Sequence, residues 1–252
     1  MSHRDTPESR DTSADGRRPG GPAALAGRTV SRIGYGAMQL ARHADDPGQA
    51  IGLLRRAVEL GIDHFDTAQF YGNGLVNDLI RQALRTEDVL VSSKIAADAD
   101  PGGPVHLRLA QRPAELRASV EDNLKSLGVE QVAVVNLRRP DDRPGLRGEG
   151  DQAVGLDDQL AVLTAMRAEG KIGAIGLSNI TLDGLRRAIS ASIVCVQNAY
   201  SPRTYPVPGR PGLAAAPRPQ RAPHPRHRGR RAPRVQCRGR PHPPRRRCAG
   251  RP

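Results

Sequence analysis

The sequence predicts an α/β fold of the (β/α)8 TIM-barrel type that is incomplete, with about six strand–helix units present and the C-terminal units missing. From Val30 onward, short apolar segments alternate with longer segments of helical period, as in parallel sheets with crossover helices. A charged or hydrogen-bonding residue follows nearly every apolar segment. The C-terminal strand ends form the active-site face of such barrels, so both patterns indicate this fold.

Six short apolar strands are predicted, as expected for a sheet covered by helices. They span residues 32–38, 62–66, 89–94, 132–137, 174–177 and 193–197. The 3.6-residue period predicts helices over 50–60, 76–84, 113–127, 156–168 and 182–189, the first with Ile51, Leu54 and Val58 on one face. Three glycines, Gly61, Gly128 and Gly170, follow helices at the position that favours a left-handed backbone.

A doubly wound open sheet is the alternative arrangement of alternating strands and helices, and the glycine pattern decides against it. Gly34 and Gly36 come shortly after the start of the first predicted strand and match the first two glycines of G-x-G-x-x-G. Gln39 occupies the place of the third glycine. The dinucleotide-binding fingerprint of the open sheet is therefore not met.

Composition divides the chain of 252 residues into three parts: a disordered leader over 1–24, a barrel domain over 25–202 and a disordered tail over 203–252. The tail contains 15 Arg and 12 Pro and no Lys, Asp or Glu. The formal net charge of +13 is therefore confined to the tail, since the rest of the chain has 24 Lys and Arg against 26 Asp and Glu. A nucleic-acid partner is not favoured by a charge placed in this way.

The tail itself has two interpretations. It is either a basic arm for nucleic acid or the product of reading a GC-rich gene in the wrong frame. Evolved basic arms usually mix Lys with Arg, so the absence of Lys favours the second interpretation. In either case a segment so rich in Arg and Pro cannot build the missing strands.

The remaining composition predicts a reduced, cytoplasmic protein without membrane segments. Cys195 lies in an apolar run, whereas Cys237 and Cys248 lie in the tail, and no pair has the spacing of metal ligands. No stretch approaches the roughly 18 consecutive apolar residues of a membrane helix, and residues 1–22 have no signal-peptide core.

Polar residues at the predicted strand ends are the candidates for chemistry. They are Asp66, Lys94, Arg138, Ser178 with Asn179, and Gln197, after the second to the sixth strand. Each has an ordinary structural explanation, such as a helix cap, a solvated lysine or a loop polar residue. Their regular recurrence at strand ends favours a shared site.

Six motifs follow one another along the chain. Residues 65–72 read F-D-T-A-Q-F-Y-G, and 91–94 read V-S-S-K. Residues 119–128 read S-V-E-D-N-L-K-S-L-G, followed by N-L-R-R-P-D at 136–141, G-K-I-G-A-I-G-L-S-N at 170–179 and V-Q-N-A-Y-S-P at 196–202. The first motif is similar to F-D-T-A-x-x-Y-G, the signature of the aldo-keto reductases, and the whole series resembles that family over residues 26 to 202.

The resemblance implies hydride transfer from NADPH to the carbonyl carbon of a small aldehyde or ketone, with Tyr71 as proton donor. Lys94 would stabilise the developing phenolate, and Asp66 would orient Lys94. Arg138 stands where the family usually has His, and Arg donates hydrogen bonds without shuttling protons as imidazole does. Arg139 is predicted to be solvated.

The resemblance also implies a cofactor site. Its residues are Gly36, Ala37, Met38, Asp66, Ser178, Asn179 and Gln197, the glycine allowing close approach of the backbone. No metal is expected, since none of the seven histidines forms an H-E-x-x-H set, and His64 is expected in the core or at its rim.

Two other interpretations remain open. The chain could be an incomplete barrel without useful activity that recruits partners through open sheet edges. The tail could also bind nucleic acid. Oligomeric state is not determined by the sequence.

Overall fold

The structure, a computed structural model, describes residues 18–103, 106–139 and 148–198, all within one structural unit, Met1–Tyr200. The predictions for residues 203–252, and those for residues 1–17, lie outside the described residues.

Ten strands and five α-helices follow one another in the described part of the chain. The strands are β1 (Pro22–Leu25), β2 (Arg28–Ser31), β3 (Tyr35–Gly36), β4 (His64–Asp66), β5 (Leu90–Ile95), β6 (Ala97–Ala99), β7 (Leu107–Leu109), β8 (Val132–Arg138), β9 (Ile172–Ser178) and β10 (Ile193–Gln197). The helices are α1 (Pro47–Glu59), α2 (Leu75–Leu84), α3 (Pro113–Leu127), α4 (Leu156–Ala168) and α5 (Leu182–Ala188). The five predicted helices are therefore all present, with ends shifted by at most three residues.

The central sheet has six parallel strands in the order β10-β9-β8-β5-β4-β3. Strands of this sheet that follow one another in the sequence are neighbours in the sheet, so the strand order never reverses. A doubly wound sheet requires a reversal, whereas a barrel grows in one direction. The architecture is that of a curled, incomplete (β/α) barrel, and this confirms the predicted fold class.

The main apolar core lies between the helices and one face of this sheet. Helices contribute residues such as Leu54 and Leu116, and the strands contribute Phe65, Leu137 and Ile175, all fully buried. Ile51 and Val58 pack against the same core as Leu54, as the helical period predicts. Gly61, Gly128 and Gly170 have φ of 87°, 67° and 79°, which confirms their left-handed positions.

The leader prediction was wrong for residues 22–24, which belong to β1. β1 and β2 form an antiparallel hairpin, with Ala26 and Gly27 at positive φ in its turn. The hairpin places Val30 against Leu90, Val134 and Ala174, on the sheet face opposite the helices. Burial of this small apolar cluster offsets the conformational entropy that is lost when the hairpin is ordered.

The first predicted strand, 32–38, was too long. Only Tyr35–Gly36 pairs with β4, and Ala37–His43 forms a 3-10 helix in which Ala37 and Leu40 are buried. The antiparallel pair of β6 and β7 was not predicted. Among the described residues, no helix has the length and apolar character that would let it cross a membrane.

Candidate active site

The candidate site begins where the parallel strands end. Gly36 pairs with Asp66, and Asp66 pairs with Ser92 on the next strand. Two residues further along β5, Lys94 pairs with Asn136. Because side chains alternate along a strand, residues two apart point to the same face. This register brings Asp66 and Lys94 together at one end of the sheet.

Lys94 forms the centre of the site and is almost completely buried. Its Nζ donates to Oδ1 and Oδ2 of Asp66, at 2.7 Å each, and to the carbonyl oxygen of Thr67 at 3.0 Å. The lysine side chain is 5% exposed and that of Asp66 is 22% exposed. The same Nζ lies 5.1 Å from the centroid of the Tyr71 ring. The structure therefore brings Asp66, Lys94 and Tyr71 together.

Tyr71 lies in the loop between β4 and α2. Its backbone N–H donates to the carbonyl of Ala68, and its carbonyl accepts from the N–H of Val76 in α2. Its ring meets that of Phe70 edge to face, with centroids 5.1 Å apart. Tyr71 is partly buried, so the ring is supported by the core while the loop keeps it at the rim of the sheet.

Arg138 is the last residue of β8 and pairs with Ser178, two residues beyond the pairing of Asn136 with Gly176. Arg138 therefore lies at the same C-terminal end of the sheet as the Asp66–Lys94 pair. Its carbonyl oxygen accepts from Nε2 of Gln111 at 3.4 Å.

The prediction that Arg139 is solvated was wrong. Its guanidinium donates to Oε1 of Gln159 and to the carbonyl oxygen of Val154, and its carbonyl accepts from Nδ2 of Asn179. Gln159, fully buried, donates in turn to Gln111. Sequence position alone did not show this, because these residues are 15 to 48 positions apart.

The predicted cofactor residues lie at the same C-terminal end of the sheet, on strands from β3 to β10. Ser178 is buried at the end of β9 and pairs with Gln197, which ends β10. The backbone N–H of Asn179 donates to the carbonyl of Gln197 at 3.3 Å, and Asn179 has φ of 57°. Of the two residues after Gly36, Ala37 is fully buried and Met38 is 52% exposed.

Gly36 offers a test of whether a cofactor fits. A Cβ added there would meet no atom within 4 Å, so the chain's own packing does not require glycine at this position. The open space above Gly36 lies beside Asp66, its partner in the sheet. The residues present therefore fit the close approach of a bound group that the resemblance implies.

His64 and Cys195 lie deeper on the site's side of the sheet. A Cβ on Gly34 would lie only 2.1 Å from Nε2 of His64, and Nδ1 of His64 is buried without a hydrogen bond. Burial lowers the pKa of His64, against the opposing effect of Asp63 and Asp66. Burial also raises the pKa of the Cys195 thiol, which donates to Oδ1 of Asn136. His64 is thus half-buried, as a core or rim residue would be.

Sequence reasoning missed a group of buried and partly buried amides and hydroxyls behind the site. It comprises Thr67, Gln69, Asn77, Ser93, Asn123 and Ser126. The available signal was an asparagine, Asn77, on the buried face of α2, where Ile80 and Leu84 share its side of the helix. A buried polar group needs a partner, so such a residue predicts a network without identifying its members.

Comparisons with known proteins show which family the chain is similar to. The model of the aldo/keto reductase family matches residues 32–207. Pyridoxine 4-dehydrogenase of Escherichia coli is 40% identical over 187 residues, which cover 70% of this chain and 63% of that protein.

Two solved structures show the same fold. An aldo-keto reductase from Bacillus halodurans in its holo form has a TM-score of 0.60 at 22% identity, covering 73% of this chain and 60% of that one. An aldo-keto reductase from Klebsiella pneumoniae in complex with NADPH has a TM-score of 0.54 at 24% identity, covering 70% and 56%. The chain thus spans about 60% of the length of these relatives.

Proposed function

Because this chain belongs to the aldo/keto reductase family, we propose that it serves the NADPH-dependent reduction of an aldehyde or ketone to an alcohol, with Tyr71 as proton donor. The observation that carries the proposal is the position of Lys94, which contacts both carboxylate oxygens of Asp66 and lies 5.1 Å from the Tyr71 ring centroid. A buried cation beside a phenol is what proton donation by tyrosine needs.

NADPH, when bound, supplies the hydride for the carbonyl carbon. Tyr71 gives its hydroxyl proton to the carbonyl oxygen as the new C–H bond forms, and the products are the alcohol and NADP⁺. The negative charge left on the tyrosine oxygen is stabilised by the Lys94 ammonium, and a proton from water then restores the phenol. Asp66 keeps the ammonium in place, since two charge-assisted hydrogen bonds fix its Nζ.

Arg138 is proposed as a hydrogen-bond donor to the carbonyl oxygen of the substrate. It ends β8 at the edge of the sheet that carries Asp66 and Lys94. Since guanidinium keeps its proton, Arg138 would orient and polarise the carbonyl while Tyr71 alone transfers a proton.

The cofactor would lie along the ends of β3, β9 and β10. Gly36, Ala37 and Met38 would contact it from one side, and Ser178, Asn179 and Gln197 would hold its carboxamide from the other. Asp66 borders the first of these groups, through its pairing with Gly36. The open space above Gly36 and the NADPH-bound structure of the Klebsiella relative support this assignment.

Pyridoxal is the first carbonyl substrate to test, because the relative from Escherichia coli is named for oxidising pyridoxine at position 4. The assay follows the loss of NADPH absorbance with the purified chain. We expect Tyr71→Phe to lower turnover by about 100-fold or more, the usual contribution of a positioned general acid. Tyr35→Phe is the control, since Tyr35 packs on Phe65 with ring centroids 5.8 Å apart. Full turnover in Tyr71→Phe would exclude Tyr71 as the donor.

An inactive barrel fragment that associates through its sheet edges is the second candidate. Within the described residues, β3 and β10 are each paired on one side only. Val194 and Val196 on β10 are 40% and 42% exposed. Unpaired strand edges with exposed apolar residues promote association. This candidate predicts oligomers in light scattering together with no turnover of pyridoxal, whereas the first predicts turnover.

A further inference from the structure

We propose that Asn77 is a positioning residue that holds the Tyr71 loop against the end of the sheet, acting through Thr67 and Gln69. The inference rests on the proposed role of Tyr71 for its catalytic meaning. The structural part of it, a loop fixed by one buried amide, can be tested without any turnover.

Thr67 connects the active-site lysine to Asn77. Its carbonyl oxygen accepts from Nζ of Lys94 at 3.0 Å, and its hydroxyl donates to Oδ1 of Asn77 at 2.7 Å. Its backbone N–H donates to the carbonyl of Ser92 on β5. Thr67 is fully buried and is the first residue after β4. A rotation of its peptide would therefore disturb the lysine and Asn77 together.

Gln69 connects Asn77 to the middle of the loop. Nδ2 of Asn77 lies 2.9 Å from Oε1 of Gln69, two residues before Tyr71. The hydroxyl of Ser126 on α3 also donates to this oxygen, at 2.7 Å. The loop is thus held from both ends of the segment that precedes Tyr71, at Thr67 and at Gln69.

Asn77 is itself fixed by α3 and β5. Its Nδ2 lies 3.0 Å from Oδ1 of Asn123, which also accepts from the hydroxyl of Ser93. Nδ2 of Asn123 donates to the carbonyl of Ser119 in the preceding turn of α3. Asn77 and Asn123 are both fully buried, so these bonds are made away from water and orient both amides.

An apolar residue at position 77 would keep α2 in the core while removing the connections to the loop. The Asn77 side chain lies on the helix face of Ile80 and Leu84. Leucine has the same γ-branching and the same number of side-chain heavy atoms as asparagine, so it is the apolar substitution that changes the shape least. The hydroxyl of Thr67 and the amide of Gln69 would then lose a partner in a buried region. The loop is expected to shift until these groups find other partners, and Tyr71 would shift with it.

The test uses 19F NMR of the full chain labelled with 3-fluorotyrosine, with resonances assigned by Tyr71→Phe and Tyr35→Phe. In Asn77→Leu we expect the Tyr71 resonance to split or move towards the shift of free fluorotyrosine, while the Tyr35 resonance stays in place. Gln82→Leu removes an exposed amide from the same helix and should move neither resonance.

General loss of stability is controlled by Leu163→Ala on α4, which removes a fully buried side chain at another part of the core. An unchanged Tyr71 resonance in Asn77→Leu would overturn the proposal. The proposal would also be overturned if Asn77→Leu changed the Tyr71 and Tyr35 resonances equally and Leu163→Ala produced the same changes.

Turnover gives an independent arm that separates this proposal from the proposed function. If both hold, Asn77→Leu lowers kcat for pyridoxal about tenfold or more and leaves the KM for NADPH within about twofold, because a misplaced donor affects the chemical step. A changed Tyr71 resonance in Asn77→Leu, together with full turnover in Tyr71→Phe, would support the positioning of the loop and reject the donor role of Tyr71.

Discussion

The pair of Asp66 and Lys94 shows how a single contact connects stability to chemistry. Lys94 is 5% exposed, and a buried ammonium is tolerated only with partners that replace its water. Asp66 and the carbonyl of Thr67 supply three hydrogen bonds at 2.7 to 3.0 Å. The same bonds fix the direction from which the cation approaches Tyr71.

Asp66→Asn tests this dependence by leaving the buried cation without its counter-charge. We expect a loss of about 2–3 kcal/mol in the free energy of unfolding, somewhat below the value for fully buried pairs because Asp66 is 22% exposed. Adding Lys94→Met should recover part of the loss, since no charge then remains unpaired. Urea unfolding of the two single variants and the double variant measures this, and strictly additive losses would contradict it.

At the scale of elements, helix ends hold the strand ends in register. Pro113 begins α3, and the carboxylate of Glu115 accepts from the backbone N–H of Arg112, from the Arg112 guanidinium and from Nε2 of Gln152. Gln152 in turn accepts from the N–H of Gln111, which contacts the carbonyls of Ala96 and Arg138. The start of α3 is thereby connected to the ends of β5 and β8.

Glu115 makes the stability of this connection depend on pH. Its hydrogen bonds lower the pKa of its carboxyl from 4.5 to about 2, and the bond with the Arg112 side chain has the largest effect. Because the folded-state pKa is depressed, the stabilisation is present above the unfolded value and is lost as pH falls from about 4.5 through about 2.

Glu115→Gln should therefore cost about 1 kcal/mol of unfolding free energy at pH 7, as the loss of a capping contact does. The cost should shrink between pH 4.5 and pH 2, and Glu130→Gln, at an exposed position after α3, is the control. Denaturant melts across this range measure it. A cost that does not change with pH would rule out the carboxylate as its source.

At the scale of the whole molecule, the described residues supply six of the eight parallel strands that a closed barrel contains. Barrels of this type commonly bind phosphate groups with the loops after the seventh and eighth strands. The proposed centre for hydride transfer and the contacts for a dinucleotide's phosphates would thus belong to different parts of the fold.

A chimera tests the consequence of this division. Its residues after 198 are replaced by the corresponding C-terminal part of the pyridoxine 4-dehydrogenase of Escherichia coli, of which this chain spans 63%. We expect the chimera to reduce pyridoxal with NADPH at least tenfold faster than the 252-residue chain, chiefly through a lower KM for NADPH, and Tyr71→Phe to remove that gain. Equal KM values for NADPH would show that the described strands bind the cofactor without further units.

The amino-acid sequence was sufficient to predict the parallel order of the sheet, the five helices and the polar strand ends. Each depends on local patterns, namely apolar period, a glycine after a helix and a motif such as F-D-T-A-Q-F-Y-G. The convergence of Asp66, Lys94 and Tyr71 also follows from such patterns, because parallel strands bring their C-terminal ends to one edge.

The contacts between buried polar residues, in contrast, depend on how the helices and strands pack together. Asn77 and Asn123 are 46 positions apart, and Gln111 and Gln159 are 48 apart, so their contacts depend on how α2, α3 and α4 pack against the sheet. The hairpin of β1 and β2 is likewise held in place by the apolar cluster around Val30, which forms only when β5, β8 and β9 are assembled. A hydrogen bond between distant residues is set by the packing of the elements that carry them, and local sequence contains no record of that packing.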